Sequence, residues 1–396
     1  MKTLKHRFGL FVHWGIYALT GWHEQYALRN RIPRAEYEKL AASFNPTAYD
    51  PDKWVAMAKA AGMEYICFTA KHHDGFCMWD TAWSDFKITN TPYGRDVLAE
   101  LSAACRRGGL ALSIYYSLPD SHHINGYNEK SSHQLPPEEG DVPDPALYRE
   151  YVKNQITELM TNYGEIYTLF WDIPPGIYDP SVNELVRSLQ PDILINDRGY
   201  SEGDFSTPER SVPEGERFTQ PTEACESVGR QSWGYRSNED YHTAKFLMQS
   251  MDKIMLMGGS YLLNVGPDAL GRIPEPSERL VRRAGDWYNR VKESFDAEEP
   301  ASGVFERPAN ALVTRHGNTY YFHFPRDPEA TGLSLYPVAT LPKSAAVLNN
   351  GQPLKAEIVT LPTSMQDGRL RPAALHLYGI PADELCGEPI ILKVEF

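Results

Sequence analysis

Cysteine is scarce and scattered: five in 396 residues, at positions 67, 77, 105, 225 and 386, with no CxxC pair. Such spacing supplies neither a disulfide framework nor a zinc knuckle, so reduced, mostly buried thiols are expected. Long apolar runs are missing too, and no window approaches the ~18–20 residues that a membrane span needs. The opening stretch 1–7 carries charge but no apolar core ending at a small-residue cleavage site. That pattern predicts a cytoplasmic chain, or a periplasmic or secreted one whose leader has been removed. Positive charge is in deficit, with Lys+Arg 39 against Asp+Glu 52 and a net charge of −13. An acidic surface repels phosphate polyanions and no Lys/Arg block reverses this locally, so neither nucleic acid nor a membrane is an expected partner. GxGxxG, Walker and HExxH motifs are all missing, which removes the usual support for a nucleotide cofactor or a zinc peptidase.

What the chain does have is aromatic surface, 12% of residues with 23 Tyr and 8 Trp, and a repeating texture over its first ~300 positions. Apolar runs at 8–14, 65–69, 110–116, 166–171 and 193–195 alternate with helical spacing at 50–61, 96–107, 145–163 and 183–189. Gly62, Gly108-Gly109 and Gly164 stop three of those helices. Runs this apolar, each fed by a helix, predict strands buried on both faces of a parallel sheet. His72-His73-Asp74, Tyr115, Asp172 and Asp197-Arg198 each fall at the C-terminal end of a different strand. A closed barrel gathers such ends into one ring, whereas an open sheet strings them along an edge. The fold class is therefore α/β: a (β/α)8-like TIM barrel over residues 1–299, with 275–295 as its last helix. Short strands with an Asn349-Asn350-Gly351 hairpin turn predict a C-terminal β-sandwich over residues 300–396.

Asp172 closes an apolar strand and is followed by Ile173-Pro174-Pro175, which ends the sheet pairing. A carboxylate there is either a turn residue or a nucleophile held at a barrel mouth, and the residue alone leaves both open. His72 and His73 are adjacent, so a strand directs them to opposite faces and they make a poor chelating pair; no metal is expected. His122-His123 lies in a polar loop, where solvation is the default. Arg198 presents a fork of donors, for a ligand or for Asp197 or Asp204. Glu209 ends the loop GDFSTPE (203–209), Glu223 and Glu226 lie in another, and composition does not choose among them. Asn264, near the end of another strand, reads as a backbone-satisfying residue.

Seven segments together resemble family 29 glycoside hydrolases, the α-L-fucosidases. They are FGLFVHWG (8–15), AKHHDGF (70–76), SIYYS (113–117), LFWD (169–172), NDR (196–198), SWGY (232–235) and GGSYLLNVGPDALGRIP (258–274), in the family's order. The resemblance covers essentially the whole chain. It implies a cofactor-independent retaining enzyme that removes terminal α-L-fucose from oligosaccharides or glycoconjugates through a covalent fucosyl-enzyme. It makes Asp172 the nucleophile and Glu209 the acid/base, with Glu223 as the alternative acid/base. It assigns the sugar pocket to His13, Glu24, His72, His73, Tyr115, Arg198 and Trp233. Phe170 stands where relatives usually carry Trp, and Ile173 where many carry Gly, which bears on linkage and aglycone. A glycosidase acting on a related sugar (an α-L-galactoside or a β-D-arabinoside) and a catalytically silent fucose-binding protein are the alternatives.

Overall fold

The structure, a computed structural model, describes residues 3–211, 215, 217–297, 299–305, 311–360 and 373–396. The chain runs β1 (Phe8–Val12), two short helices α1 (Tyr26–Asn30) and α2 (Arg34–Glu38), α3 (Pro51–Ala60) and β2 (Tyr65–Lys71). Next come α4 (Val97–Gly108), β3 (Ala111–Ser117), α5 (Pro145–Asn162), β4 (Thr168–Asp172), α6 (Pro180–Leu189) and β5 (Leu194–Ile195). Then follow β6 (Glu223–Ser227), α7 (Ala244–Leu256), β7 (Ser260–Val265) and α8 (Glu275–Val291). Three of these helices begin on an Asp-Pro pair. The side chains of Asp50, Asp144 and Asp179 each accept a backbone N–H of the first turn, and proline fills the first helical position. Such caps contribute about 1 kcal/mol each and fix where the helix starts.

All pairings among β1–β7 are parallel, in the order β5-β4-β3-β2-β1-β7-β6. The gap between β5 and β6 is filled by the segment 204–210, which pairs on both sides. On one side Asp197 N–H donates to Phe205 O at 3.0 Å; on the other Glu223 N–H donates to Ser206 O at 2.9 Å and Cys225 N–H to Pro208 O at 3.0 Å. Parallel bridges Asn196–Phe205, Ser206–Thr222 and Glu209–Cys225 mark this segment as an eighth, irregular stave. Gly203 permits the approach, because a Cβ there would sit 2.2 Å from the Asn196 carbonyl carbon. The ring thus closes as a (β/α)8-like barrel, but among the described residues no helix separates β5 from this stave or the stave from β6. Inside, Phe11, Tyr65, Cys67, Tyr115, Phe170, Cys225 and Leu262 form one apolar cluster.

The sequence reading of 222–226 as a loop is corrected here, since Glu223–Ser227 is a fully buried strand. Two carboxylates in five residues hide the pattern, and both are taken up internally. All five cysteines are free thiols, four of them buried. No helix among the described residues is long and apolar enough to cross a membrane.

By compactness the chain divides into two units. The first holds the barrel strands and includes Thr219–His242 and Gly259–Arg282; the second comprises chiefly Thr243–Gly258 and Arg283–Phe396. Helix α7 and the second half of α8 therefore group with the C-terminal unit, where a single cut at 299/300 does not put them. Buried polar bonds run within that unit. Asp252 on α7 meets His323 Nδ1 at 2.7 Å, and Trp287 Nε1 on α8 donates to Pro389 O at 3.1 Å. The unit's strands are β8 (Glu299–Pro300), β9 (Leu312–His316), β10 (Thr319–Phe324), β11 (Gly332–Leu335), β12 (Ser344–Val347), β13 (Lys355–Thr360), β14 (Ala373–Tyr378) and β15 (Ile390–Glu395). They form two antiparallel sheets, β12-β15-β10-β9-β8 and β11-β14-β13, around Phe322, Val347, Leu375 and Leu392, as a β-sandwich requires.

Candidate active site

The C-terminal ends of the barrel strands converge on a cleft with an empty volume of about 410 Å³, mouth included. Its lining includes His13 after β1, His72 and His73 after β2, Tyr115 on β3, Asp172 at the end of β4, Glu209 on the irregular stave, and Glu24 and Trp233.

Asp172 is buried, 8% exposed, and well supplied with donors. Tyr115 donates its hydroxyl to Oδ2 at 2.6 Å, and Arg198 Nη1 donates to Oδ1 at 3.2 Å. Burial pushes the carboxyl up, but His73, the Tyr115 hydroxyl and Arg198 outweigh it and hold Asp172 below its ordinary range. His73 Nε2 lies 3.7 Å from Oδ2, and burial lowers its own pKa to about 4. It is neutral near pH 7, so Tyr115 and Arg198 carry the ionised state of Asp172 there. The next residue, Ile173, sits at φ 57°, a left-handed conformation that a β-branched side chain rarely adopts. Strain of this kind concentrates at sites where the backbone must aim a side chain.

Arg198 joins the two acids. The Nη1 that meets Asp172 also donates to Glu209 Oε1, while Nη2 donates to the Thr207 carbonyl of the same stave. Asp204, an alternative partner for Arg198, is instead held by Arg187 at 2.9 Å. Burial raises Glu209 above the usual carboxylate range, with the nearby Asp172 charge adding to it and Arg198 opposing it. The cleft therefore holds one carboxylate stabilised as an anion beside one biased toward its acid form.

The remaining walls are neutral rings and fixed acceptors. Burial lowers His13 to about 4 and His72 well below its ordinary range, so both are uncharged near neutrality. His13 Nδ1 meets Asn264 Oδ1 at 2.7 Å, and His73 Nδ1 meets the Ser117 hydroxyl at 2.7 Å. His72 stacks on Tyr115 at 5.7 Å, and its buried Nδ1 has no hydrogen-bond partner. Trp233 stacks on His13 at 5.3 Å under the guanidinium of Arg210, 4.4 Å from the indole centroid. Glu24 Oε2 accepts from the Ser232 hydroxyl and from the backbone N–H groups of Trp233 and Gly234, at 2.7 to 3.1 Å. Burial works against its charge, yet His23, Ser232 and His13 hold Glu24 below its ordinary range.

Some sequence-singled residues are not brought here. Glu223, the alternative acid/base, starts β6 in the barrel interior and does not line the cleft; Tyr65 donates its hydroxyl to Oε2 at 2.6 Å. Asp74 accepts from Tyr37 at 2.7 Å. His122 and His123 are packed rather than solvated, His122 against Glu38 at 2.6 Å and His123 against Tyr151 at 4.2 Å. Conversely, His133 stacks edge-on against His73 at 5.1 Å and lines the cleft, though a lone histidine in a polar loop gave no signal. Asn264 orients both His13 and the Trp233 carbonyl, which its Nδ2 meets at 2.7 Å. No group of three or more His, Cys, Asp or Glu among the described residues is placed to hold a metal ion.

The chain is similar to known proteins over most of its length. The model of the alpha-L-fucosidase family matches residues 4–293. Rat tissue alpha-L-fucosidase is 26% identical over 405 residues, 90% of this chain and 84% of the relative. Among solved structures, alpha-L-fucosidase isoenzyme 1 from Paenibacillus thiaminolyticus superposes with a TM-score of 0.84 at 31% identity, covering 98% of this chain and 96% of that one. A GH29 alpha-L-fucosidase from Bacteroides thetaiotaomicron, trapped as a covalent intermediate with 2-fluoro-fucosyl fluoride, superposes with a TM-score of 0.78 at 26% identity, covering 98% and 94%. The chain belongs to the α-L-fucosidase family and is a glycoside hydrolase.

Proposed function

We propose that the chain hydrolyses terminal α-L-fucose from oligosaccharides or glycoconjugates with retention of configuration, Asp172 acting as nucleophile and Glu209 as acid/base. The observation that carries this reading is the shared Arg198 nitrogen. One atom contacts both carboxylates, so their nearest oxygens are separated by no more than two hydrogen bonds laid end to end, about 6 Å. So close an approach of the nearest oxygens fits the short carboxyl separation of retaining enzymes, about 5–5.5 Å, better than the roughly 6.5–9.5 Å that inverting ones need to seat a water.

In this reading ionised Asp172 attacks C1 of the sugar while protonated Glu209 gives its proton to the departing glycosidic oxygen. Glu209, now a carboxylate, then takes a proton from water as that water attacks the ester, and Asp172 is released. The walls fit the sugar chemically. Neutral imidazoles can donate or accept, so His13, His72 and His73, all of which line the cleft, suit ring hydroxyls. Phe11, Phe170 and Trp233 give the C5 methyl an apolar wall.

Incubation with 2-deoxy-2-fluoro-fucosyl fluoride tests the reading. Intact mass is expected to rise by one fluorofucosyl group, which peptide mapping locates on Asp172, and methanolysis of an aryl α-L-fucoside should yield the retained methyl fucoside. A label on another carboxylate or an inverted product defeats the mechanism. A chain that binds fucose but turns over no aryl fucoside favours the silent binding protein instead.

A further inference from the structure

Two of the cleft histidines are held by partners that have no choice of role. Asn264 is fully buried on β7, and its Nδ2 donates to the Trp233 carbonyl at 2.7 Å and to the Ser227 hydroxyl oxygen at 2.9 Å. A carbonyl only accepts, so the amide is pinned: turned over, it would set Oδ1 against the Trp233 oxygen. Its Oδ1 therefore faces His13 Nδ1, 2.7 Å away, and can only accept from it. Ser117, buried at the end of β3, is fixed by the same logic. Its hydroxyl gives its one proton to Pro119 O at 2.7 Å, which leaves a lone pair for His73 Nδ1 at 2.7 Å. Both imidazoles thus carry a proton on Nδ1.

Burial keeps the two rings neutral near pH 7, each lowered to about 4. A neutral imidazole has a single N–H, so Nε2 of each ring is a bare lone pair. Both rings line the cleft, and with Nδ1 taken, Nε2 is the nitrogen left for a ligand. For His73 the consequence is direct. Its Nε2 lies 3.7 Å from Asp172 Oδ2, so a lone pair faces a carboxylate held as the anion. The opposite tautomer would donate to that carboxylate and blunt it as a nucleophile. The tautomer that Ser117 enforces leaves Asp172 free and sets two acceptors side by side, an arrangement that a donor relieves.

We propose that Asn264 and Ser117 are positioning residues that lock His13 and His73 as hydrogen-bond acceptors, so that each takes a sugar hydroxyl only as a proton donor. The proposal rests on the fucosidase reading above and adds the polarity of its sugar recognition. Nitrogen NMR of the full chain carrying ¹⁵N-histidine reads the tautomers directly, with His13→Ala and His73→Ala assigning the two signals. Both are expected as Nδ1–H with a bare Nε2 near neutral pH. Ser117→Ala should move His73 toward the Nε2–H form and lower kcat about tenfold, while Ser117→Thr, which keeps the hydroxyl, should retain tautomer and rate. Affinities for L-fucose and for its 2-, 3- and 4-deoxy and deoxyfluoro analogues read the polarity. The hydroxyl that meets each histidine is the one whose deoxy penalty, about tenfold, disappears in the matching alanine variant. Fluorine at that position accepts but does not donate, so it should bind no better than hydrogen. An Nε2–H signal in the wild type, a His73 tautomer indifferent to Ser117→Ala, or a fluorine that recovers most of the hydroxyl's affinity overturns the proposal and leaves the fucosidase reading standing. A wild type that does not bind L-fucose overturns that reading and the sugar half of the proposal, and the spectrum still decides the tautomers.

Discussion

Two buried carboxyls mark opposite ends of the barrel, and burial treats them almost alike: Asp172 is 8% exposed and Glu223 0%. Their donors differ. Asp172, at the C-terminal end of β4, receives a tyrosine hydroxyl at 2.6 Å and a guanidinium at 3.2 Å. Glu223, at the N-terminal start of β6, receives only the Tyr65 hydroxyl at 2.6 Å, and its Oε1 has no partner. Accordingly Asp172 is held below its ordinary range, while burial pushes Glu223 up to about 7. One end of the ring is built to keep a charge and the other to keep a neutral acid. Glu209 stands between these cases, buried enough to be raised yet gripped by Arg198.

Removing the charged member should have the largest effect. Asp172→Ala is expected to lower kcat/KM on aryl α-L-fucosides by roughly 10⁴-fold or more, the scale seen when a nucleophile is deleted. A variant with near wild-type turnover would assign the nucleophile elsewhere. Glu209→Ala comes next, with a loss of about 10²- to 10⁴-fold on fucosides with poor leaving groups. Activated aryl fucosides, which need little protonation, should suffer much less in their first step, and azide should restore part of the rate as a fucosyl azide of retained configuration. If that rescue belongs to Glu223→Ala instead, the acid/base role moves to the barrel's other end.

The pH profile separates the same groups with a smaller effect. In the proposed mechanism turnover requires Asp172 ionised and Glu209 protonated. Lowering of Asp172 by His73, the Tyr115 hydroxyl and Arg198 places the acidic limb of kcat/KM below the usual carboxylate range, and raising of Glu209 by burial places the alkaline limb above it. In Glu209→Gln the alkaline limb should vanish while the acidic one stays. An alkaline limb that persists unchanged points to a different proton donor.

How legible this was in the sequence depends on where helices intervene. From β2 to β5 each apolar strand is fed by a helix with an acidic cap or a glycine stop, so the pattern alone puts Asp172, Tyr115 and the histidine pair at strand ends. Between β5 and β6 the rhythm breaks. The stave carrying Glu209 is written in Gly, Ser, Thr and Pro and pairs by isolated bridges, and EACES at 223–227 looks like loop because two of its five residues are carboxylates that the fold nonetheless buries. Contacts between distant residues were equally hidden: nothing local announces that Arg198 will choose Asp172 and Glu209 over Asp204, or that His133 will return to His73.

Glu223 itself yields the smallest and most discriminating measurement. A carboxyl raised from 4.5 to about 7 by burial binds its proton more tightly folded than unfolded. Its contribution to stability is fully present below pH 4.5, declines as pH climbs and the unfolded chain ionises, and levels off above about 7. Glu223→Gln keeps an acceptor for Tyr65 and removes the titration. Relative to wild type, the variant's unfolding free energy should therefore improve by about 3 kcal/mol between pH 4.5 and 8. Urea midpoints across that range measure it, and identical pH dependence in the two proteins would show that Glu223 is not held neutral. The same variant should hydrolyse α-L-fucosides at close to the wild-type rate, because Glu223 is buried and does not line the cleft. A matching collapse of activity would mean that the two ends are not the separate devices their donors make them.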